Sequence, residues 1–108
     1  MKKTSTLKAK EVYDMLHHIP EGRVTTYGDL AAALGFPRAP RAIGRILHNN
    51  PNPIVVPCHR VVMSDGTIGG YAFGQARKKQ ILTQEGVRFF GNSMANFSRL
   101  RLTVAELR

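Results

Sequence analysis

Leu7, Val12, Met15, Leu16 and Ile19 recur at roughly helical spacing and predict a first helix, which Pro20 and Gly22 end. Thr4 or Ser5 offers the side-chain oxygen that would cap it. Residues 23–25 read as a very short strand, and YGDLAAALG as a second helix, capped by Thr25 or Thr26 and closed at Gly35. FPRAP is a turn. A third helix follows from Pro40 to about Asn49, with Pro40 in the first helical turn and Ile43, Ile46 and Leu47 on the inner face. Pro51, Pro53 and Pro57 then forbid a helix and favour an extended, well-fixed path. RVVMSDGTIGGY predicts a β-hairpin that turns at Ser64-Asp65-Gly66 and returns through Thr67 and Ile68. GQARKKQILTQEG predicts a last long helix with Ala76, Ile81 and Leu82 apolar, stopped at Gly86, and its Arg77, Lys78 and Lys79 read as a solvated basic face. The tail carries Val87, Phe89, Phe90, Phe97, Leu100, Leu102 and Leu107, too apolar to stay unpacked, so much of it is expected to pack against the rest. The fold class predicted is mainly α with a small β-hairpin.

A length of 108 residues suits one domain with one modest core, here taken as 1–108. Hydrophobic residues make up 43% and charged residues 21%, as in ordinary globular chains. No apolar run approaches the roughly 18–20 residues of a membrane span, and no membrane partner is expected. The N-terminus has lysines but no apolar stretch behind them, which argues against a secretory signal and for a cytoplasmic protein.

Charge changes the picture more. Sixteen Lys and Arg against seven Asp and Glu give +9, and between Arg38 and Arg101 the only acidic residues are Asp65 and Glu85. Such a field attracts a polyanion, most simply nucleic acid. The second and third helices, with Arg38, Arg41 and Arg45 at or on the latter, then read as a helix-turn-helix that places one helix in a groove. An ordinary helical hairpin with a basic face fits the same residues. His17 and His18 have no Cys or His partners at ligand spacing and are read as solvated; no metal and no cofactor is expected.

The single cysteine, Cys58, lies in VVPCHRVV and cannot form an internal disulfide. A lone cysteine is commonly a small buried hydrophobe. Here Pro57 precedes it and His59 and Arg60 follow, and a nearby cation lowers a thiol pKa. In an extended strand His59 would face away from the sulfur, so a local turn or a bridging water is required. An orienting carboxylate is also wanted, and Asp65, Glu85 and Glu106 all remain open on spacing alone.

PCHRVV, preceded by NPNPIVV and followed by GTIGGYAFG and EG, resembles the active-site domain of the O6-alkylguanine-DNA alkyltransferases, in order and spacing from about Val24 to Gly86. The resemblance implies a winged-helix-like helix-turn-helix domain that flips an O6-alkylguanine out of double-stranded DNA and transfers its alkyl group irreversibly to Cys58. It implies His59 as the water-mediated base, Glu85 as its orienting acid and Asn50 as a brace of the active-site turn. Tyr27 would help rotate the nucleotide and donate to the guanine ring, Tyr71 would line the pocket with Ala72 and Phe73 in the adjacent loop, and the Cys58 and Val61 carbonyls would hold the guanine amino group. Arg41 would fill the space left in the duplex. Ala42 and Gly44 would let the helix lie close to the minor groove, and Arg45 and Arg38 would meet DNA. A monomer is expected.

Two features depart from the simple repair protein: the sequence has only a short helix before the helix-turn-helix, so no N-terminal domain is expected, and its tail is long and apolar. Both are similar to the alkyltransferase-like branch, damage sensors that bind O6-alkylguanine without repairing it and recruit nucleotide excision repair proteins. That branch typically has tryptophan or alanine where this chain keeps Cys58. A DNA-binding regulator with an inert thiol and a redox-sensing thiol are the readings from other classes.

Overall fold

The computed structural model describes residues 7–108, so Thr4 and Ser5, expected to cap the first helix, lie outside the described residues. Helix α1 spans Ala9–Leu16 and buries Val12 and Leu16, four residues apart and therefore on one face. Ile19, in the turn that follows, continues into the same core. Strand β1 is Thr25–Thr26. It passes straight into α2, Tyr27–Ala33, because the Thr26 hydroxyl accepts from the Asp29 N–H at 3.0 Å and so caps the helix. Helix α3, Pro40–His48, has the proline at its start and buries Ile43 and Leu47 against α2.

After an irregular stretch, Cys58–Arg60 form one 3-10 turn, and strand β2, Val61–Val62, follows at once. Helix α4 is Gln75–Gln84. The tail forms a short antiparallel pair, β3 (Phe89–Phe90) and β4 (Ser93–Met94), then α5 (Phe97–Leu100) and α6 (Val104–Leu107). The molecule is thus mostly helical with two small two-stranded sheets.

Of the hairpin expected over RVVMSDGTIGGY only the turn closes, the Met63 N–H donating to the Thr67 carbonyl at 3.0 Å; its two arms do not pair as strands. Val61–Val62 pair in parallel with Thr25–Thr26 instead, Thr25 opposite Val61 and Thr26 opposite Val62. Both valines are fully buried, Val61 in the core of α1, α2 and α3 and Val62 in a second core with Val24, Ile68, Leu82, Val87 and Met94. Alternation along a strand sends neighbours to opposite faces, and a strand apolar on both faces belongs inside the molecule. Ser64-Asp65-Gly66 still makes a tight turn, in which the Asp65 carboxylate accepts from the Thr67 N–H at 3.0 Å and hydroxyl at 2.7 Å. The returning residues pair with the tail: the Ile68 N–H donates to the Asn92 carbonyl at 2.9 Å and Thr67 bridges Ser93.

The tail packs as expected, with Leu102 and Leu107 buried in the first core and Met94 in the second, although Phe90 is left 79% exposed. It also ties down α2. Arg101 forks onto the Asp29 carboxylate at 2.6 and 3.1 Å, and Arg108 donates to the Ala33 and Ala32 carbonyls at the helix end. His18, read as solvated, has an exposed ring whose Nδ1 meets the Leu107 carbonyl. Two further expectations fail. Lys78 of the RKK run is fully buried, and Ala76, expected on the apolar face, is exposed.

Candidate active site

The Cys58 turn sits where the two cores meet. Pro57 leads into it, the Cys58 N–H donates to the Val56 carbonyl at 2.7 Å, and the Arg60 N–H donates to the Pro57 carbonyl at 3.0 Å. The turn replaces the extended geometry that would have set His59 on the opposite face from the sulfur. Asn50 holds it from outside. Its side-chain N–H donates to the Val56 carbonyl at 2.9 Å, and its side-chain oxygen accepts from the Asn52 N–H at 2.9 Å.

His59 is fully buried, and its Nε2 lies 2.9 Å from a Glu85 oxygen. A carboxylate only accepts, so Nε2 carries the hydrogen and Nδ1 keeps a free lone pair. Nδ1 is buried and has no partner among the described residues. Glu85, at the end of α4, also takes two bonds from Arg60 at 3.0 and 2.7 Å, while a third Arg60 nitrogen donates to the Ile19 carbonyl at 2.7 Å. Burial alone would raise the Glu85 carboxyl; the bonds from Arg60 and His59 outweigh it and hold the group below its usual value. Burial lowers His59, against the pull of Glu85, so the imidazole is neutral at pH 7.

The thiol differs from the expectation of a depressed pKa. Burial pushes Cys58 up, opposed by the Asn50 side chain and the Lys78 ammonium. Arg60, expected to act on the sulfur, is committed to Glu85 and Ile19. At rest the site therefore holds a protonated thiol and a neutral, oriented imidazole with a free lone pair.

Cys58 lines a cavity of about 250 Å³ with Tyr27, Gly44, Leu47, His48, Gly70, Tyr71 and Ala72. Tyr27 stands at the start of α2, and its hydroxyl makes a long 3.5 Å contact to the Gly70 carbonyl. The Tyr71 hydroxyl is buried with no partner among the described residues. Next to the cavity, an open groove along α3 is lined by Arg41, Gly44, Arg45, His48 and Asn49, sharing Gly44 and His48 with it. Ala42 is half-buried on the same helix, and Arg38 is exposed in the connection before it, outside the groove lining.

Not every expected residue reaches the cavity. Phe73 is 60% exposed and meets the Tyr71 ring edge-on at a 5.7 Å centroid distance, outside the lining. Val61 is buried behind the wall, and its carbonyl already accepts from Lys78 at 2.7 Å. Sequence reasoning missed Leu47, His48 and Gly70 as lining residues, and Lys78 altogether. The signal for Lys78 was available: it stands three and four residues before Ile81 and Leu82 and seven before Glu85, on the one face of α4 that turns inward.

Comparison with known proteins adds four findings. The family model described as 6-O-methylguanine DNA methyltransferase, DNA binding domain, matches residues 8–87. A methylated-DNA–protein-cysteine methyltransferase of Salmonella typhimurium is 52% identical over 77 residues, which are 71% of this chain and 45% of that one. A bifunctional methyltransferase/endonuclease of Thermoplasma volcanium is 40% identical over 92 residues, 83% of this chain and 29% of the relative. The chain thus spans less than half the length of these curated relatives. Among solved structures, S. pombe Atl1 in complex with damaged DNA containing O6-carboxymethylguanine superposes with a TM-score of 0.74 at 31% identity, covering 88% of this chain and 94% of that one.

Proposed function

The chain belongs to the O6-methylguanine DNA methyltransferase family, and on that premise we propose that it repairs O6-alkylguanine in double-stranded DNA by moving the alkyl group, once and irreversibly, onto Cys58. The observation that carries this is the placement of the Cys58 thiol in the wall of a cavity that opens beside the arginine-lined groove of α3. Helices α2 and α3 act as a winged-helix-like helix-turn-helix. Helix α3 lies along the minor groove, where Ala42 and Gly44 allow close approach, Arg45 and Arg38 meet phosphates, and Arg41 fills the gap in the stack. A lesion inside a duplex is out of reach of the thiol, so the nucleotide is flipped into the cavity; a damaged pair costs less to open.

The chemistry follows from the resting state of the site. His59 Nδ1 takes the thiol proton through one water, and Glu85 steadies the imidazolium that forms. The sulfur then attacks the alkyl carbon; the S–C bond forms, the C–O6 bond breaks, and the electron pair leaves with guanine. Tyr27 donates to the guanine ring as that charge develops, and Tyr71 and Ala72 hold the base. Asn50 keeps the turn in register. No step returns Cys58 to a thiol, so each molecule acts once. Working on DNA, the protein acts in the cytoplasm, at the nucleoid, as a monomer.

The test is intact-protein mass spectrometry after incubation with a duplex carrying one O6-methylguanine, beside Cys58→Ala. The expected result is one methyl group gained by the native protein only and never a second. A second reading, a damage sensor that recruits nucleotide excision repair, is favoured by the match to nearly the whole of Atl1. No methyl gain together with lesion-selective binding would select it.

A further inference from the structure

Arg101 is tied to the chain on both sides of Tyr27. Its backbone runs beside Val24: the Val24 N–H donates to the Leu100 carbonyl at 3.1 Å, and the Leu102 N–H donates to the Val24 carbonyl at 2.8 Å. Its guanidinium reaches past β1 to the first turn of α2, where Nε and Nη2 fork onto the Asp29 carboxylate at 2.6 and 3.1 Å. Tyr27 stands between these two ties, three residues after Val24 and two before Asp29. The guanidinium is itself held, lying 5.6 Å from the centre of the Phe97 ring. A planar fork on a carboxylate fixes direction as well as distance, which a single bond does not.

Tyr27 has few polar ties of its own. Its ring rests on the first core, but among the described residues its hydroxyl makes only the long 3.5 Å contact to the Gly70 carbonyl. The hydroxyl therefore points where the first turn of α2 points it. That helix has seven residues, too short to keep its shape without tertiary support. The tail supports it at both ends, Arg101 at the first turn and Arg108 at the Ala32 and Ala33 carbonyls of the last. Leu107 of α6 is buried in the core that also holds Leu30 and Ala31 of α2. The family match ends at residue 87, so neither arginine belongs to it.

We propose that Arg101 is a positioning residue: by its fork on Asp29 it fixes the first turn of α2 and so aims the Tyr27 hydroxyl at the flipped guanine. This role rests on the alkyl transfer proposed above. The same ion pair also cancels the Asp29 charge, which would otherwise repel a polyanion. The two effects are separable. If charge alone matters, Asp29→Asn is harmless; if aim matters, it is as harmful as the loss of Arg101.

The experiment follows single-turnover methyl transfer from an O6-methylguanine duplex, resolved into half-saturating DNA concentration and saturated rate, for Arg101→Gln, Asp29→Asn and the two combined. Each single variant lowers the saturated rate by about tenfold, and the combination falls less than about twofold below either. The combination keeps the wild-type net charge and binds an undamaged duplex within about twofold of the wild type. In a Tyr27→Phe background, with no hydroxyl to aim, Arg101→Gln costs less than about twofold. An Asp29→Asn variant as fast as the wild type overturns the proposal, since the tie would then be electrostatic. An undiminished loss in the Tyr27→Phe background overturns it too, because general loosening of the fold gives that result. If Arg101→Gln does not fold, Arg101→Lys, with a single bond in place of the fork, carries the same test with a loss of about threefold; a wild-type rate there overturns the proposal. If the wild type transfers no methyl group, the transfer reading has failed instead. The aim is then read from the ratio of dissociation constants for undamaged and lesion duplexes, and an unchanged ratio in Arg101→Gln overturns the positioning role.

Discussion

The backbone around Cys58 has few ties of its own, and the Asn50 side chain supplies two, to the Val56 carbonyl and the Asn52 N–H. Asn50→Ala removes the partner of the half-buried Val56 carbonyl and of the exposed Asn52 N–H, so it costs about 1 kcal/mol of stability. Transfer slows by more than the stability loss explains, because the turn that aims the sulfur loosens. Denaturant unfolding and single-turnover transfer on the same variant check this; a destabilised variant with the wild-type rate would refute it. Glu85 gives the pH dependence. Its carboxyl is held below its usual value, so its contribution is complete at neutral pH and lost as pH falls through the folded value. His59 is lowered as well: below its ordinary pKa of about 6.5 the unfolded chain takes a proton that the buried ring resists, which also costs stability in acid. Both act in one direction, so the melting temperature falls steadily from pH 7 toward pH 4. Glu85→Gln melts lower than wild type at pH 7, yet its acid limb is shallower; parallel limbs in a thermal-shift series would show that Glu85 does not carry the effect.

Among the elements, α3 serves two ends that compete at one residue. Gly44 lines both the cavity and the groove, and a Cβ built there meets nothing within 4 Å. Alanine in a helix interior is favoured over glycine by about 0.5–1 kcal/mol, so Gly44→Ala raises the melting temperature by a few degrees. The same methyl group stands on the surface proposed to approach DNA, so lesion-duplex binding weakens by about tenfold, the cost of roughly 1.4 kcal/mol. A stabilised variant with unchanged affinity would mean that DNA does not come that close. The elements also show what a sequence makes legible. Helices α1 to α4 could be read because their apolar spacing, Thr26 and Pro40 are local signals. PCHRVV pointed to Cys58 and His59, spacing left Asp65, Glu85 and Glu106 open as the acid, and only the resemblance implied Glu85; the fold puts the histidine and that acid 2.9 Å apart. The pairing of Val61–Val62 was not legible, because local turn chemistry at Ser64-Asp65-Gly66 favoured a hairpin while burial on both faces selected a partner about 36 residues away. Lys78 was misread for a related reason: charge type was given more weight than its place on the inward stripe of α4.

Over the whole molecule, the +9 charge raises the question of whether DNA is drawn by the net field or by one face. Arg41 and Arg45 line the groove on α3, and Arg38 is exposed just before that helix. Arg88 and Arg99 are also exposed but belong to the tail, away from the groove lining. Both sets contribute equally, residue for residue, to long-range attraction; only the first is placed to displace counterions from phosphates. The slope of log affinity against log salt counts such phosphates, at about 0.9 per contact. Replacing Arg38, Arg41 and Arg45 by alanine therefore flattens the slope by up to about 1.8 units, the share of the two arginines proposed to meet phosphates, Arg38 and Arg45. Replacing Arg88 and Arg99 lowers the association rate at low salt and leaves the slope close to that of the wild type. Fluorescence anisotropy of an undamaged duplex over a salt series separates the two. If both variants flatten the slope in proportion to the charge removed, binding is diffuse and α3 is not the face that meets DNA. If only the first does, the arginines beside the Cys58 cavity deliver the lesion to the thiol.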